Sequence, residues 1–447
     1  MRLLSRLLLA LILACATLPS AAAADDLPRV LMISIDGLPP ARYTAGGPAK
    51  IPTLRRLMSQ GIHADGVVGI MPTLTYPSHT TLITGVTPAV HGIPDNRIVD
   101  PEERSNVAWY WYAQDIKAPT LPMAARARGL RAGAIAWPVT VGMDLDYLVP
   151  EFWRSGSQHA DDRKLLEAVS WPHDLIATAE QARERPFAWP YTDRDRTDVA
   201  KFVLRTYKPH VLLVHLIDLD SSQHDNGPDS TDALETLERI DGYVGELLQE
   251  LASAKLAERT NVVVVSDHGF LATTKRLQPN AALKDAGLLT VDEGGRITEW
   301  QAYFHSSSGS GFIFLRDPQD AALRDRVHAL LKKLQSDPAN GIRRIWTRPE
   351  LDALGAHPGA SFGLDVVDGF YTGGDHDRLV APSSGKGGHG FDPARPELRA
   401  SFIAAGPAVT RRGSIGTIRM TQIAPTLARI LGVGLSPQAD QGFAVTK

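Results

Sequence analysis

The sequence predicts an α/β protein: an open, doubly wound and mostly parallel β-sheet with helices on both faces, carrying an inserted cap or lobe. Two observations predict the sheet and its layers, and a third predicts where the sheet works. First, the runs VLMISI (30–35), VLLVHLI (211–217) and NVVVVS (261–266) are rich in β-branched residues and too short for helices, which reads as buried parallel strands. Second, helical spacing falls between and after them. Leu234, Leu237, Ile240, Val244, Leu247, Leu248 and Leu251 form an amphipathic series feeding the third run, and 51–60 and TQIAPTLARILG (421–432) are similar. Strand and helix therefore alternate, as a doubly wound sheet requires. Third, each run stops at acid: Asp36, Asp218 with Asp220, and Asp267. In such a sheet the carboxyl ends of the strands line the ligand crevice, so three runs deliver carboxylates to one edge.

The start of the chain has the layout of a secretory signal, with basic MRLLSR, apolar LLLALILACATL and small-residue PSAAAADD. Cleavage near Ala24 is expected, giving residues 1–24 as signal and 25–447 as the exported catalytic domain, periplasmic or extracellular. Cys15, the single cysteine, lies in the signal, so no disulfide framework is expected. The alternative is Cys15 as a lipid-modified first residue. No second apolar stretch reaches the ~18 residues of a membrane span. Net charge is −3 with Lys and Arg dispersed, which argues against a nucleic-acid duplex or an anionic membrane surface as partner. Between Gly269 and Gly388 the pattern loosens into SSSGSG, DEGG, TGGDH and SSGKGG, read as a less regular inserted lobe around 275–385. The sequence does not specify an oligomeric state.

Zinc sites without cysteine draw on His nitrogen and carboxylate oxygen, and a two-metal site needs about six or seven such ligands. The chain offers them beside the strand ends. Asp36 follows the first run, Asp220 and His224 are four apart in DLDSSQH, Asp267 and His268 are adjacent in SDHG, and His389 sits in the Gly-rich GGHG. Singly each has an ordinary reading, since Asp after a strand is commonly a turn former or cap; together they form a candidate site. His215 alternates within a strand and reads as core, and His63, His159, His173 and His328 as surface or packing residues.

The stretch MPTLTYPSHTTLITG (71–85) carries six aliphatic hydroxyls, which composition alone would assign to a polar loop. The ordered set Asp36-Gly, PTLTYPSHTTLITG, HGIPDN, DLDSSQH, SDHG and GGHG resembles the nucleotide pyrophosphatase/phosphodiesterase branch of the alkaline phosphatase superfamily, over about residues 28–432 and loosely across 275–385. The resemblance implies an alkaline phosphatase-like fold, two Zn2+ ions and Thr75 of TYPSH as nucleophile through a phosphothreonine intermediate. It implies that Asp36, Thr75, Asp267 and His268 hold the first ion and Asp220, His224 and His389 the second, and that Asn96 donates to a phosphoryl oxygen. Tyr76 matches an aromatic position that can stack on a nucleobase, with core packing as the alternative. TTLITG reads as a helix that places Thr75 at its N-terminal end, where N–H groups and the helix dipole favour a phosphoryl oxygen. Thr73 and Ser78 read as turn or cap residues, Thr80, Thr81 and Thr84 as helix residues, and His79 and His91 as structural hydrogen bonders.

The expected substrate is a small phosphodiester such as a nucleotide or headgroup diester. No sulfatase C/S-x-P-x-R segment is present, and AGAIAWPVT (132–140) resembles the diesterase branch's Trp-Pro loop. The alternatives are a phosphomonoesterase on the same fold, whose extra cationic group would be sought among Lys117, Arg126, Arg128 and Arg131, and an inactive metal-binding protein. NVAWYWYAQ (106–114) reads as a buried strand rather than a recognition surface.

Overall fold

The computed structural model describes residues 27–44, 46–103, 109–154, 161–183 and 186–446. The expected signal, with Cys15, and His159 lie outside these residues. Eight strands form the central sheet: β1 (Arg29–Ile35), β2 (Ile62–His63), β3 (Ala132–Ile135), β4 (Tyr147–Val149), β5 (Val211–Leu216), β6 (Thr260–Val265), β7 (Phe402–Ala405) and β8 (Gly413–Ser414). Their spatial order is β8-β2-β7-β6-β1-β5-β3-β4. β1 lies between β5 and β6, parallel to both, with Val30 opposite Val211 and Ser34 opposite Val265. β7 runs antiparallel to β6, so the sheet is mixed but mostly parallel.

Burial on both faces explains the continuous apolar runs, because alternate residues of one strand serve opposite layers. Leu31, Ile33, Ile35, Leu212, Val214, Leu216, Val262 and Val264 pack against α1 (Pro52–Gln60), α3 (Asp193–Tyr207) and α5 (Thr231–Ser253). Val30, Met32, Val211, Leu213, Val263 and Val265 face α2 (Thr75–Thr84), the short helix Leu121–Ala127 and α6 (Ile423–Leu431). α5 starts where the Ser230 hydroxyl accepts from the Ala233 N–H, and it buries Leu237, Ile240, Val244, Leu247 and Leu251. At about 1.5–3 kcal/mol for each large apolar side chain, this stripe holds the helix to the sheet. Among the described residues, no helix is long and apolar enough to cross a membrane.

Residues 271–391 fold beside the sheet. Ala302–Ser307, Ser310–Leu315, Phe362–Val366 and Ile342–Thr347 form a four-stranded antiparallel sheet in that order. With helix Ala321–Ser336 they enclose a separate cluster that includes Phe304, Ile313, Val327, Leu331 and Leu364. The expected strand at 106–114 is not found in its described part. Residues 106–108 lie outside the described set, Trp109 and Tyr112 make only isolated bridges, and a 3-10 turn follows at Ala113–Asp115. Trp109 and Tyr110 are half-buried and Tyr112 is exposed, because this segment borders a cavity instead of entering the sheet.

Candidate active site

The carboxyl ends of β1, β5 and β6 bring the acidic residues together. Asp36 follows β1 directly, Asp267 follows β6 after one serine, and Asp220 and His224 sit one turn apart on α4 (Asp218–Asn226) after β5. Two groups result: Asp36, Asp267 and His268, and Asp220, His224 and His389, each with ligand atoms within 4.8 Å of one another. In the first, His268 Nε2 stands 3.1 Å from Asp267 Oδ2 and 3.4 Å from Asp36 Oδ1. In the second, Asp220 Oδ1 is 3.5 Å from His224 Nε2 and 3.6 Å from His389 Nε2.

Hydrogen bonding shows which atoms are free. His268 Nδ1 faces the Gly269 carbonyl at 3.2 Å, His224 Nδ1 that of Gly387 at 2.9 Å and His389 Nδ1 that of Thr73 at 3.1 Å. A carbonyl only accepts, so each Nδ1 carries a proton and Nε2 is the nitrogen turned to the carboxylates, the orientation of a metal-ligating imidazole. Asp36 Oδ1, Asp220 Oδ1, Asp267 Oδ2 and His268 Nε2 are buried without a hydrogen-bond partner. Buried polar atoms are seldom left so, and the donor set of carboxylate oxygen and imidazole nitrogen suits Zn2+. The residues therefore fit one ion in each group.

The electrostatics agree. Burial, then the charges of Asp267 and Asp220, push the Asp36 carboxyl well above the usual carboxylate range. Burial disfavours a charged His268, yet Asp267 beside it takes the group up to about 9. Burial and the neighbouring His268 hold His389 well below the ordinary histidine value; the two rings stack at 3.6 Å. Three carboxylates crowded out of water call for cations, which protons supply only in part.

Thr75 is the first residue of α2, half-buried, on the wall of a cavity of about 900 Å3 also lined by Asp36, Asn96, Asp220, His224 and His389. The Tyr76 N–H donates to Asn96 Oδ1 at 2.8 Å; a backbone N–H can only donate, so the Asn96 amide nitrogen stays available as a donor. Tyr76 itself is only 1% exposed, its ring 5.3 Å from Trp109 and its hydroxyl donating to Glu151 Oε1 at 3.2 Å. Trp109 and Trp153 line the same cavity as Tyr76 and are more exposed, Trp153 at 37%. His79 supports the start of α2, reaching the Thr75 carbonyl at 2.8 Å and Ser34 Oγ at 2.9 Å.

Two features escape sequence reasoning. His215 is buried, as a core residue should be, but it also bridges carboxylates: Nε2 is 3.1 Å from Asp36 Oδ2 and Nδ1 is 2.8 Å from Glu151 Oε2. Its place at the penultimate position of β5 points the ring at the same edge as Asp36, while Glu151, just past β4, carries no motif. The cations are the second feature. Arg126 pairs with Asp144 and Asp146, Arg128 donates to the Leu431 carbonyl and Arg131 to that of Lys208, and none of these, nor Lys117, lines the cavity. Among the described residues the arginines that do are Arg97, just after the HGIPDN segment, and Arg276 and Arg296 of the lobe.

The family model described as type I phosphodiesterase / nucleotide pyrophosphatase matches residues 30–355. The chain belongs to that family. Among members of this family, human ectonucleotide pyrophosphatase/phosphodiesterase family member 1 is 27% identical over 449 residues, covering 95% of this chain and 42% of that protein. Human family member 7 is 22% identical over 433 residues, covering 94% of this chain and 82% of that protein. The chain thus spans less than half the length of the first of these relatives. Of solved structures, human ectonucleotide pyrophosphatase/phosphodiesterase 5 shares the fold at TM-score 0.66 and 20% identity, covering 93% of this chain and 97% of that one. An inactive threonine-to-alanine variant of the murine protein 5 in complex with AMP matches at TM-score 0.65 and 18% identity, with the same coverage.

Proposed function

We propose that this chain is an exported, two-zinc phosphodiesterase or nucleotide pyrophosphatase, formed by residues 25–447 as one catalytic domain with a lobe around 275–385. The observation that carries the reading is the pair of Asp/His groups, with four buried ligand atoms lacking a hydrogen bond, beside the cavity that Asp36, Asp220, His224 and His389 line and that Thr75 enters from the start of α2. Asp36, Thr75, Asp267 and His268 would hold one Zn2+ and Asp220, His224 and His389 the other. When bound, the ions supply the positive charge that activates the Thr75 hydroxyl and stabilises the leaving oxygen. Thr75 Oγ forms a bond to phosphorus as the ester or anhydride bond breaks. The Asn96 amide holds a nonbridging oxygen, and the N–H groups at the start of α2 favour the charge that develops. Water then displaces Thr75 and regenerates its hydroxyl.

Trp109 and Trp153 offer flat apolar faces, and Arg97, Arg276 and Arg296 offer positive charge, which suits a nucleotide better than a cationic headgroup diester. Arg97 already lies 5.2 Å over the Trp109 ring, where a ligand cation would otherwise sit. The same arginines favour a second reading, a phosphomonoesterase, because a monoester carries an additional charge. The ratio of kcat/KM for bis(p-nitrophenyl) phosphate to that for p-nitrophenyl phosphate, with zinc supplied, separates the two. A ratio well above one is expected, and a ratio well below one assigns the monoesterase.

A further inference from the structure

A line of buried polar groups runs from the cavity's aromatic wall to the first metal group. The Tyr76 hydroxyl donates to Glu151 Oε1 at 3.2 Å, Glu151 Oε2 meets His215 Nδ1 at 2.8 Å, and His215 Nε2 meets Asp36 Oδ2 at 3.1 Å. All four residues are at most 6% exposed. His215 Nδ1 also faces the Ala136 carbonyl at 3.1 Å, so both ring nitrogens are engaged by oxygen atoms and the ring is held in one orientation. Ala136 holds that carbonyl in place from a left-handed conformation, φ 54°, which a non-glycine residue adopts at a cost.

The consequence falls on Asp36. With Oδ2 engaged by His215, Oδ1 is the oxygen left free; it is buried and unpartnered, and it faces His268 Nε2 at 3.4 Å. A carboxylate bound this way is restricted to one rotamer and to one ligating oxygen. Without the imidazole it could turn about its Cβ–Cγ bond, and it would face the buried Glu151 carboxyl with no partner between them. Groups behind a ligand that fix its orientation commonly matter to metal affinity nearly as much as the ligand itself.

We propose that His215 and Glu151 are positioning residues that fix the Asp36 carboxylate for the first ion, acting in series so that Glu151 works through His215. The proposal rests on the two-ion reading above. It adds to it two residues that no family motif marks in this chain, one inside a core strand and one on the loop after β4.

The test uses zinc-binding titration of the purified mature chain by chelator competition, together with kcat and KM on bis(p-nitrophenyl) phosphate, for wild type, His215→Gln, Glu151→Gln and the double variant. Circular dichroism and thermal melting monitor the fold. The wild type is expected to bind two zinc ions. Each single variant should weaken one of them by about 10–100-fold while the other binds as before, the usual range for losing such a support. The double variant should weaken that ion little more than His215→Gln does, because serial contacts are not additive. Added zinc should restore part of the lost turnover. Wild-type affinity for both ions in the two single variants overturns the proposal, as does equal weakening of both ions, which would mark a general structural role. If His215→Gln does not fold, Glu151→Gln decides alone: selective loss of one ion supports the proposal and unchanged binding overturns it. A wild type that binds no zinc and cleaves no diester would instead remove the two-ion reading itself.

Discussion

His91 is held neutral by its surroundings, and acid should expose that. The Ile93 N–H donates to its Nδ1 at 3.1 Å, so Nε2 carries the proton and donates to Thr81 Oγ1 at 3.1 Å, and Thr81 donates in turn to the Val86 carbonyl at 3.0 Å. Burial lowers the group from 6.5 to about 3. Its value is depressed on folding, so its contribution is complete above the unfolded value and is lost as the pH falls from 6.5 towards 3, where the unfolded chain takes up a proton and the folded chain does not. One such proton gives a slope of up to about 1.4 kcal/mol per pH unit. Urea unfolding of wild type and His91→Gln across this window should show a shallower acid slope in the variant; identical slopes would contradict the assignment. His91 lies inside HGIPDN, where the sequence supports only structural hydrogen bonding, since a motif position says nothing about which nitrogen is protonated. His215 teaches the same lesson more sharply. A histidine in the run VLLVHLI is indistinguishable by sequence from a satisfied core residue, and its two carboxylate neighbours come from the turn after β1 and from the loop after β4.

At the scale of elements, the lobe clamps His389 of the second Asp/His group. In the hairpin between Ala302–Ser307 and Ser310–Leu315, the Gly309 N–H donates to the His389 carbonyl at 2.6 Å and Ser310 Oγ donates to that of Gly390 at 2.5 Å. From the other side the Gly390 N–H donates to the Thr73 carbonyl at 2.9 Å. Gly390 has φ 82°, and a Cβ there would lie 2.2 Å from the Ser307 carbonyl oxygen. Gly390→Ala should therefore cost about 1–3 kcal/mol through overpacking, and zinc content should fall from two ions towards one as His389 is displaced. Retention of both ions with unchanged melting would contradict the clamp. GGHG was legible as a candidate ligand segment, whereas its support was not. The supporting contacts join the tip of a hairpin to a loop about 80 residues further along the chain, and they are made by backbone groups and one serine, which no side-chain pattern marks.

Across the whole molecule, the three acid-ended runs were legible because a strand buried on both faces must be continuously apolar, and they became β1, β5 and β6. The remaining sheet strands, two to four residues such as IH, AGAI and FIAA, are too short for a period to register. The site, assembled from these strand ends and from loops, concentrates Asp36, Asp220 and Asp267 in one buried region, so ion binding should be part of the fold's stability. An ion at 100 times its Kd adds about 2.7 kcal/mol. Chelation should lower the melting temperature and zinc should restore it; a melting temperature indifferent to both would contradict occupancy of the two groups. The central claim is that Thr75 is the nucleophile beside two ions, and the most direct measurement is diester turnover together with zinc content in Thr75→Ala. The account predicts two bound ions and a turnover lower by at least about three orders of magnitude. Near-normal turnover with both ions bound would contradict it.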